Sequence, residues 1–183
     1  MTRSPSDDGY TEAIALRDGT PATIRVMRSD DRGRLEAAFA SLDRDSIYTR
    51  FFGLRNELPG RALDRIAEID FVQLAGLVAT VGRNGGEVIV GSCTYVGLDD
   101  GSGAAEVAFT IADGYQGQGL GGRLLAAMAG FARRHGLARF TADVLANNAA
   151  MLKVFQRSGL PMTTRRESGG VIRVELALAQ PPA

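Results

Sequence analysis

Two periodicities divide the hydrophobic positions of this chain. Short apolar or alternating runs bounded by Gly, Asn, Asp or Ser predict strands at residues 12–16, 21–26, 74–81, 87–96, 104–111, 139–145, 162–165 and 171–178. Arg17-Asp18-Gly19-Thr20, Arg83-Asn84-Gly85-Gly86 and Ser168-Gly169-Gly170 supply the turns between paired runs. Helical spacing begins at Leu35, Ala38, Phe39 and Leu42, with Ser29 or Asp30 as the expected cap. Further helical pieces are expected at 46–52 and 59–69. The apolar stripe Leu124, Leu125, Met128, Phe131 and Ala132 predicts a helix that Gly136 stops. Another helix, over 149–158, closes at Gly159. Residues 1–11 are polar with Pro and Gly and predict a disordered leader, and 180–183 predict a frayed tail. That leaves 12–179 as a single domain.

The order is early helices, an antiparallel run of strands, then strand–helix–strand–helix–strand. It predicts an α+β fold with a mixed sheet. The chain has 183 residues, 45% of them hydrophobic and 23% charged, which suits one globular domain with a substantial core. A formal net charge of zero offers no bulk attraction to nucleic acid or to an anionic membrane, so neither is an expected partner. No run approaches the ~18 apolar residues of a membrane helix. Cys93 is the one cysteine, so no internal disulfide can form, which fits a reducing compartment and a cytoplasmic location. One cysteine and one histidine, His135, cannot build a transition-metal site of the usual kind, so no metal is expected. Cys93 reads as a small core residue, and His135 as a cation at a helix end.

The chemistry is concentrated in Gln116-Gly117-Gln118-Gly119-Leu120-Gly121-Gly122-Arg123, which runs from a strand into the striped helix. Glycine backbone can curl and turn its N–H groups toward an anion, and the helix start adds partial positive charge. Gly117-x-Gly119-x-x-Gly122 satisfies the dinucleotide fingerprint, with Asp143 as a nominal ribose acid. The context opposes that reading. Asp113-Gly114-Tyr115-Gln116 separates the strand from the first glycine, and too little chain follows to complete a doubly wound sheet. The spacing Gln116-x-x-Gly119-x-Gly121 instead resembles the acyl-CoA pyrophosphate loop of the GNAT superfamily of N-acetyltransferases.

That resemblance covers roughly residues 22–178 and implies a mostly antiparallel mixed sheet flanked by helices, with a splayed central strand pair. It implies acetyl-CoA as cosubstrate, its pyrophosphate held by the backbone of Gln116 to Arg123. Backbone around Phe109, Thr110 and Ile111 would pair with the pantetheine arm as an added strand does. Asn148-x-x-Met151-x-x-x-Phe155-x-x-x-Gly159-Leu160 resembles the family's signature helix, which implies cofactor contacts for Asn148, Met151 and Phe155. Asn148 reads equally as a helix cap. The chain departs from the pattern at Phe155, where the family often has the tyrosine that protonates the leaving thiolate. A phenyl ring cannot do so.

Acyl transfer to an amine needs the neutral amine, whereas a lysine ammonium has a pKa of ~10.4, so a base is required. Glu106, on the strand before the loop, is the candidate. Burial there would raise its pKa toward the range of a working base, whereas a strand-edge glutamate facing solvent would carry no such role. The pairing of this Glu with the glycine loop is similar to bacterial protein-lysine acetyltransferases of the GNAT class. So are Leu16-Arg17-Asp18-Gly19, Ile24-Arg25-x-x-Arg28-Ser29-x-Asp31 and the run from Ser46 to Phe52. The resemblance implies direct acetyl transfer to a primary amine, a protein lysine first. A small amine (amino acid, polyamine or aminoglycoside) is the second acceptor class, and a non-catalytic acyl-CoA-binding module is the remaining alternative. Tyr48, Arg50, Phe51 and Phe52 are the expected acceptor wall, and the chain is expected to act as a monomer or homodimer.

Overall fold

Strand β1 (Thr11–Ala15) turns into β2 (Pro21–Val26) through a loop closed by Leu16 N–H to Thr20 C=O at 2.9 Å and Gly19 N–H to Leu16 C=O at 2.9 Å. The computed structural model describes residues 9–42, 69–70 and 72–178. β1 begins at Thr11, one residue earlier than its pattern predicts, because Tyr10 is already anchored. The Tyr10 ring meets Phe131 edge-on at 5.1 Å, and its hydroxyl donates to Glu12 Oε2 at 2.7 Å. The helix expected at 46–52, all but Ile69 of the one expected at 59–69, the wall residues Tyr48, Arg50, Phe51 and Phe52, and positions 1–8 and 180–183 lie outside the described residues.

A short 3-10 turn (Ser29–Asp31) leads into helix α1 (Arg32–Ala40), which buries Leu35 and Phe39. Neither Ser29 nor Asp30 caps it as expected. Asp31 organises this entry instead, because its carboxylate accepts from the Arg28 N–H at 2.8 Å and from both terminal nitrogens of Arg25 at 2.8 Å. The Arg25 Nε donates to Glu87 Oε1 at 2.7 Å, so one buried guanidinium ties β2 to two other segments.

β3 (Leu74–Arg83) and β4 (Gly86–Gly97) form a long hairpin whose Asn84 and Gly85 both have positive φ, the geometry that matches strand twist. β5 (Ala104–Ile111) precedes the glycine loop, and helix α2 (Leu120–Arg134) follows it. Every residue of the expected stripe on α2 is buried. Its end is a Schellman arrangement, with Leu137 N–H to Ala132 C=O and Gly136 N–H to Arg133 C=O. β6 (Arg139–Leu145), α3 (Ala149–Gln156), β7 (Met162–Arg166) and β8 (Val171–Ala177) complete the chain.

The described strands make one sheet in the order β1-β2-β3-β4-β5-β6-β8-β7, antiparallel throughout except between β5 and β6. It is the mixed α+β sheet that the pattern predicts, and mostly antiparallel as the family resemblance implies. The core joins the sheet to α2, with Tyr95, Phe131, Phe140 and Phe155 among its largest fully buried side chains. Cys93 is buried in β4, as a small core residue should be.

Candidate functional site

The parallel ladder between β5 and β6 is three pairs long: Ala104 with Arg139, Ala105 with Phe140, and Glu106 with Thr141. Both strands then continue, β5 to Ile111 and β6 to Leu145, with no further pairing between them. Two central strands that part in this way leave a fork in the middle of the sheet. Phe109, Thr110 and Ile111 lie on the β5 bank of that fork, while β4 pairs with the other edge of β5 as far as Ile111.

Glu106 closes the ladder at the point where the strands part. The structure corrects one expectation about it: the residue is exposed, not buried. Its row on the sheet runs through Thr141 to Glu175, with Asp143 and Arg173 the next paired positions on the same face. Arg173 Nε and Nη2 grip the Asp143 carboxylate at 2.5 and 2.7 Å. That hydrogen-bonded pair raises the Arg173 pKa, with smaller contributions from Glu167 and Glu106. Asp143 therefore has a salt-bridge partner, and its strand lies antiparallel to β8, so the dinucleotide reading fails on topology.

At the open end of β5, Ala112 N–H donates to the carbonyl of Val90, the extra residue of a β4 bulge, at 2.9 Å. A short 3-10 turn (Asp113–Tyr115) follows, and Gln116 folds back so that its amide donates to the Ile111 carbonyl at 3.3 Å. Gly117 and Gly119 have φ of 71° and 87°, a region that side-chain-bearing residues pay to enter. Gly121 has a different role: a Cβ there would meet Val154 of α3 at 3.3 Å, so α2 and α3 pack closely through it. Gly122 is exposed at the helix start, with nothing within 4 Å of a Cβ built on it. Arg123 carries the first helical bond, N–H to the Gly119 carbonyl at 3.3 Å, and its guanidinium sits 3.7 Å from Glu12. No side chain caps the helix, so the N–H groups of Leu120, Gly121 and Gly122 stand ahead of the first bond, where the helix field favours an anion.

α3 forms the far wall. Asn148 caps it, Oδ1 accepting from Met151 N–H at 3.1 Å, which leaves the side-chain amide nitrogen as its remaining donor. Met151 is half-buried beside this cap. Phe155 is buried with its ring edge-on to Phe109 at 5.9 Å, so it joins α3 to the β5 bank. His135 is the C-cap of α2, at the helix end where the sequence puts it. Among the described residues no group of three or more His, Cys, Asp or Glu is placed to hold a metal ion, and no described helix is long and apolar enough to cross a membrane.

A contact between the β1–β2 turn and the glycine loop joins two segments far apart in the sequence. Arg17 Nη1 donates to the Gly117 carbonyl at 2.9 Å, the Arg17 N–H to the Gln118 carbonyl at 3.4 Å, and the Asp18 N–H to Gln118 Oε1 at 3.2 Å. A hundred residues separate the partners, so no local pattern signals the contact.

A family model described as an acetyltransferase (GNAT) domain matches residues 22–161. The acetyltransferase Pat of Mycolicibacterium smegmatis is 32% identical over 164 residues, which are 89% of this chain and 47% of that protein. The chain thus spans about half the length of that relative. The crystal structure of the GNAT domain of S. lividans PAT superposes with a TM-score of 0.81 at 33% identity, covering 91% of this chain and 96% of that one. The structure of yncA from Salmonella typhimurium, solved with acetyl-CoA, shares the fold with a TM-score of 0.70 at 20% identity, covering 88% of this chain and 96% of that one.

Proposed function

The chain belongs to the GNAT acetyltransferase family, and from that premise we propose that it transfers acetyl from acetyl-CoA directly to a primary amine, the side chain of a protein lysine. The observation that carries the reading is the fork between β5 and β6, with Glu106 at its closed end and the glycine loop at its open end. A bound acetyl-CoA supplies the activated acetyl thioester. The residues fit it: open space beside Gly117 and Gly122, uncapped N–H groups at the start of α2, and a β5 edge that β6 leaves after Glu106. The loop from Gln116 to Arg123 binds the pyrophosphate, and the backbone of Phe109 to Ile111 lies along the pantetheine arm. The Asn148 amide nitrogen serves that arm while its oxygen caps α3, and Met151 and Phe155 form its apolar wall.

Glu106 takes the ammonium proton, directly or through a water, and leaves the neutral amine. What supports Glu106 in this role is its place at the closed end of the fork, where the paired part of β5 and β6 ends; its exposure gives the assignment no help. Phe155 offers no proton to the departing thiolate, which a thiol pKa of ~8.5 makes a tolerable leaving group unaided. The lysine acceptor is supported by the likeness to the Pat acetyltransferases, joined to the Glu106 and glycine-loop pattern. Thiol release from acetyl-CoA, measured with lysine peptides, polyamines, amino acids and aminoglycosides, tests it. Release with lysine peptides is expected. Release with only a small amine would replace the acceptor class, and silence with all four alongside tight acetyl-CoA binding would favour a non-catalytic module.

A further inference from the structure

Two consecutive carbonyls of the glycine loop, those of Gly117 and Gln118, point at the same neighbour. The turn between β1 and β2 receives both, the first on the Arg17 guanidinium and the second on the Arg17 N–H. The Gln118 side chain is drawn to the same turn by the Asp18 N–H. No peptide bond in the described chain is cis, and in a planar trans peptide the C=O and the following N–H point in opposite directions. Fixing these carbonyls against the turn therefore aims the N–H groups of Gln118 and Gly119 the other way. Successive amides turned to one side make an anion-binding concavity. The Arg17 Nε lies 3.8 Å from the place a Cβ on Gly119 would occupy, so the guanidinium packs against the loop.

We propose that Arg17 is a positioning residue for the nucleotide end of acetyl-CoA, holding the loop carbonyls so that its amides face the pyrophosphate. The inference rests on the acetyl-CoA reading above, and it assigns to the β1–β2 turn a part of the site a hundred residues from the loop. Arg17 is exposed, so replacing it opens no core.

The test compares the full chain with its Arg17→Met variant in two measurements. Calorimetric titration with CoA reads the pyrophosphate site without turnover. Turnover of S-acetylpantetheine, which has the thioester but no pyrophosphate, reads the rest of the cleft. Loss of one charge-assisted hydrogen bond is worth roughly a tenfold rise in the CoA dissociation constant, with S-acetylpantetheine kcat/KM unchanged. Equal CoA affinity in both proteins overturns the role of Arg17 while leaving the acetyl-CoA reading intact. An equal loss in both measurements also overturns it, since a general structural defect would act that way. Absence of CoA binding by the unmodified chain removes the acetyl-CoA reading and this role together.

Discussion

Asn148 shows how one side chain can serve the fold and the site through different atoms. Its oxygen caps α3 through the Met151 N–H, and its amide nitrogen is left to act elsewhere. Asn148→Ala should lose about 1 kcal/mol of stability with the cap, measured by urea denaturation. Asn148→Asp keeps the capping oxygen and removes the amide donors. It should retain stability yet weaken acetyl-CoA binding, and unchanged affinity would reduce Asn148 to a cap. Gly119 has a conformational requirement. At φ 87°, Gly119→Ala should cost about 1–2 kcal/mol in the same denaturation and distort the amide array, so CoA affinity should fall as well. Both positions were visible in the sequence as a glycine loop and an Asn pair. The division of labour between the atoms of Asn148 was not, because it depends on where α3 starts.

At the scale of elements, the two later helices and most strands follow from local apolar pattern and bounding turn residues, whereas β7, exposed at Thr163 to Arg166, has no apolar face and is placed by the turn that leads into β8. The entry to α1 does not follow from local pattern either. Ser29, Asp30 and Asp31 are equivalent caps by propensity, but Asp31 is fully buried and bound to Arg25, and that pair decides the local geometry. Burial alone would raise the Asp31 pKa; the hydrogen bonds from Arg25 and from the Arg28 N–H outweigh it and hold the carboxyl below its ordinary value. A depressed carboxylate pKa contributes stability above the unfolded value of ~3.9 and loses it as pH falls through the folded value. Denaturation midpoints should therefore be insensitive to this pair near neutrality and fall steeply in acid. Asp31→Asn should lose about 3–5 kcal/mol at neutral pH and show a flatter acid limb. A parallel acid limb in the variant would show that other groups set it.

Across the whole molecule, the site is assembled by topology. A glycine loop can be recognised from the eight residues Gln116 to Arg123, but the fork it serves exists because β6 stays paired with β8 along its whole length while its pairing with β5 ends after three residues. No local period encodes that divergence; the family resemblance anticipated it. The exposure of Glu106 and the tether from Arg17 likewise depend on distant partners, so neither is legible in the local sequence. A ligand bound across β5, α2 and α3 should stabilise the folded chain as a unit. Acetyl-CoA at a hundred times its dissociation constant should add about 2.7 kcal/mol and raise the melting temperature, whereas NAD should leave it unchanged.

The most direct test of the account is acetylation of a lysine peptide by the unmodified chain and by Glu106→Gln, with acetyl-CoA affinity measured on both. General-base catalysis predicts a fall in turnover of about 10²–10⁴-fold with the acetyl-CoA dissociation constant unchanged. Turnover that survives the substitution would contradict the assignment of Glu106 as the base.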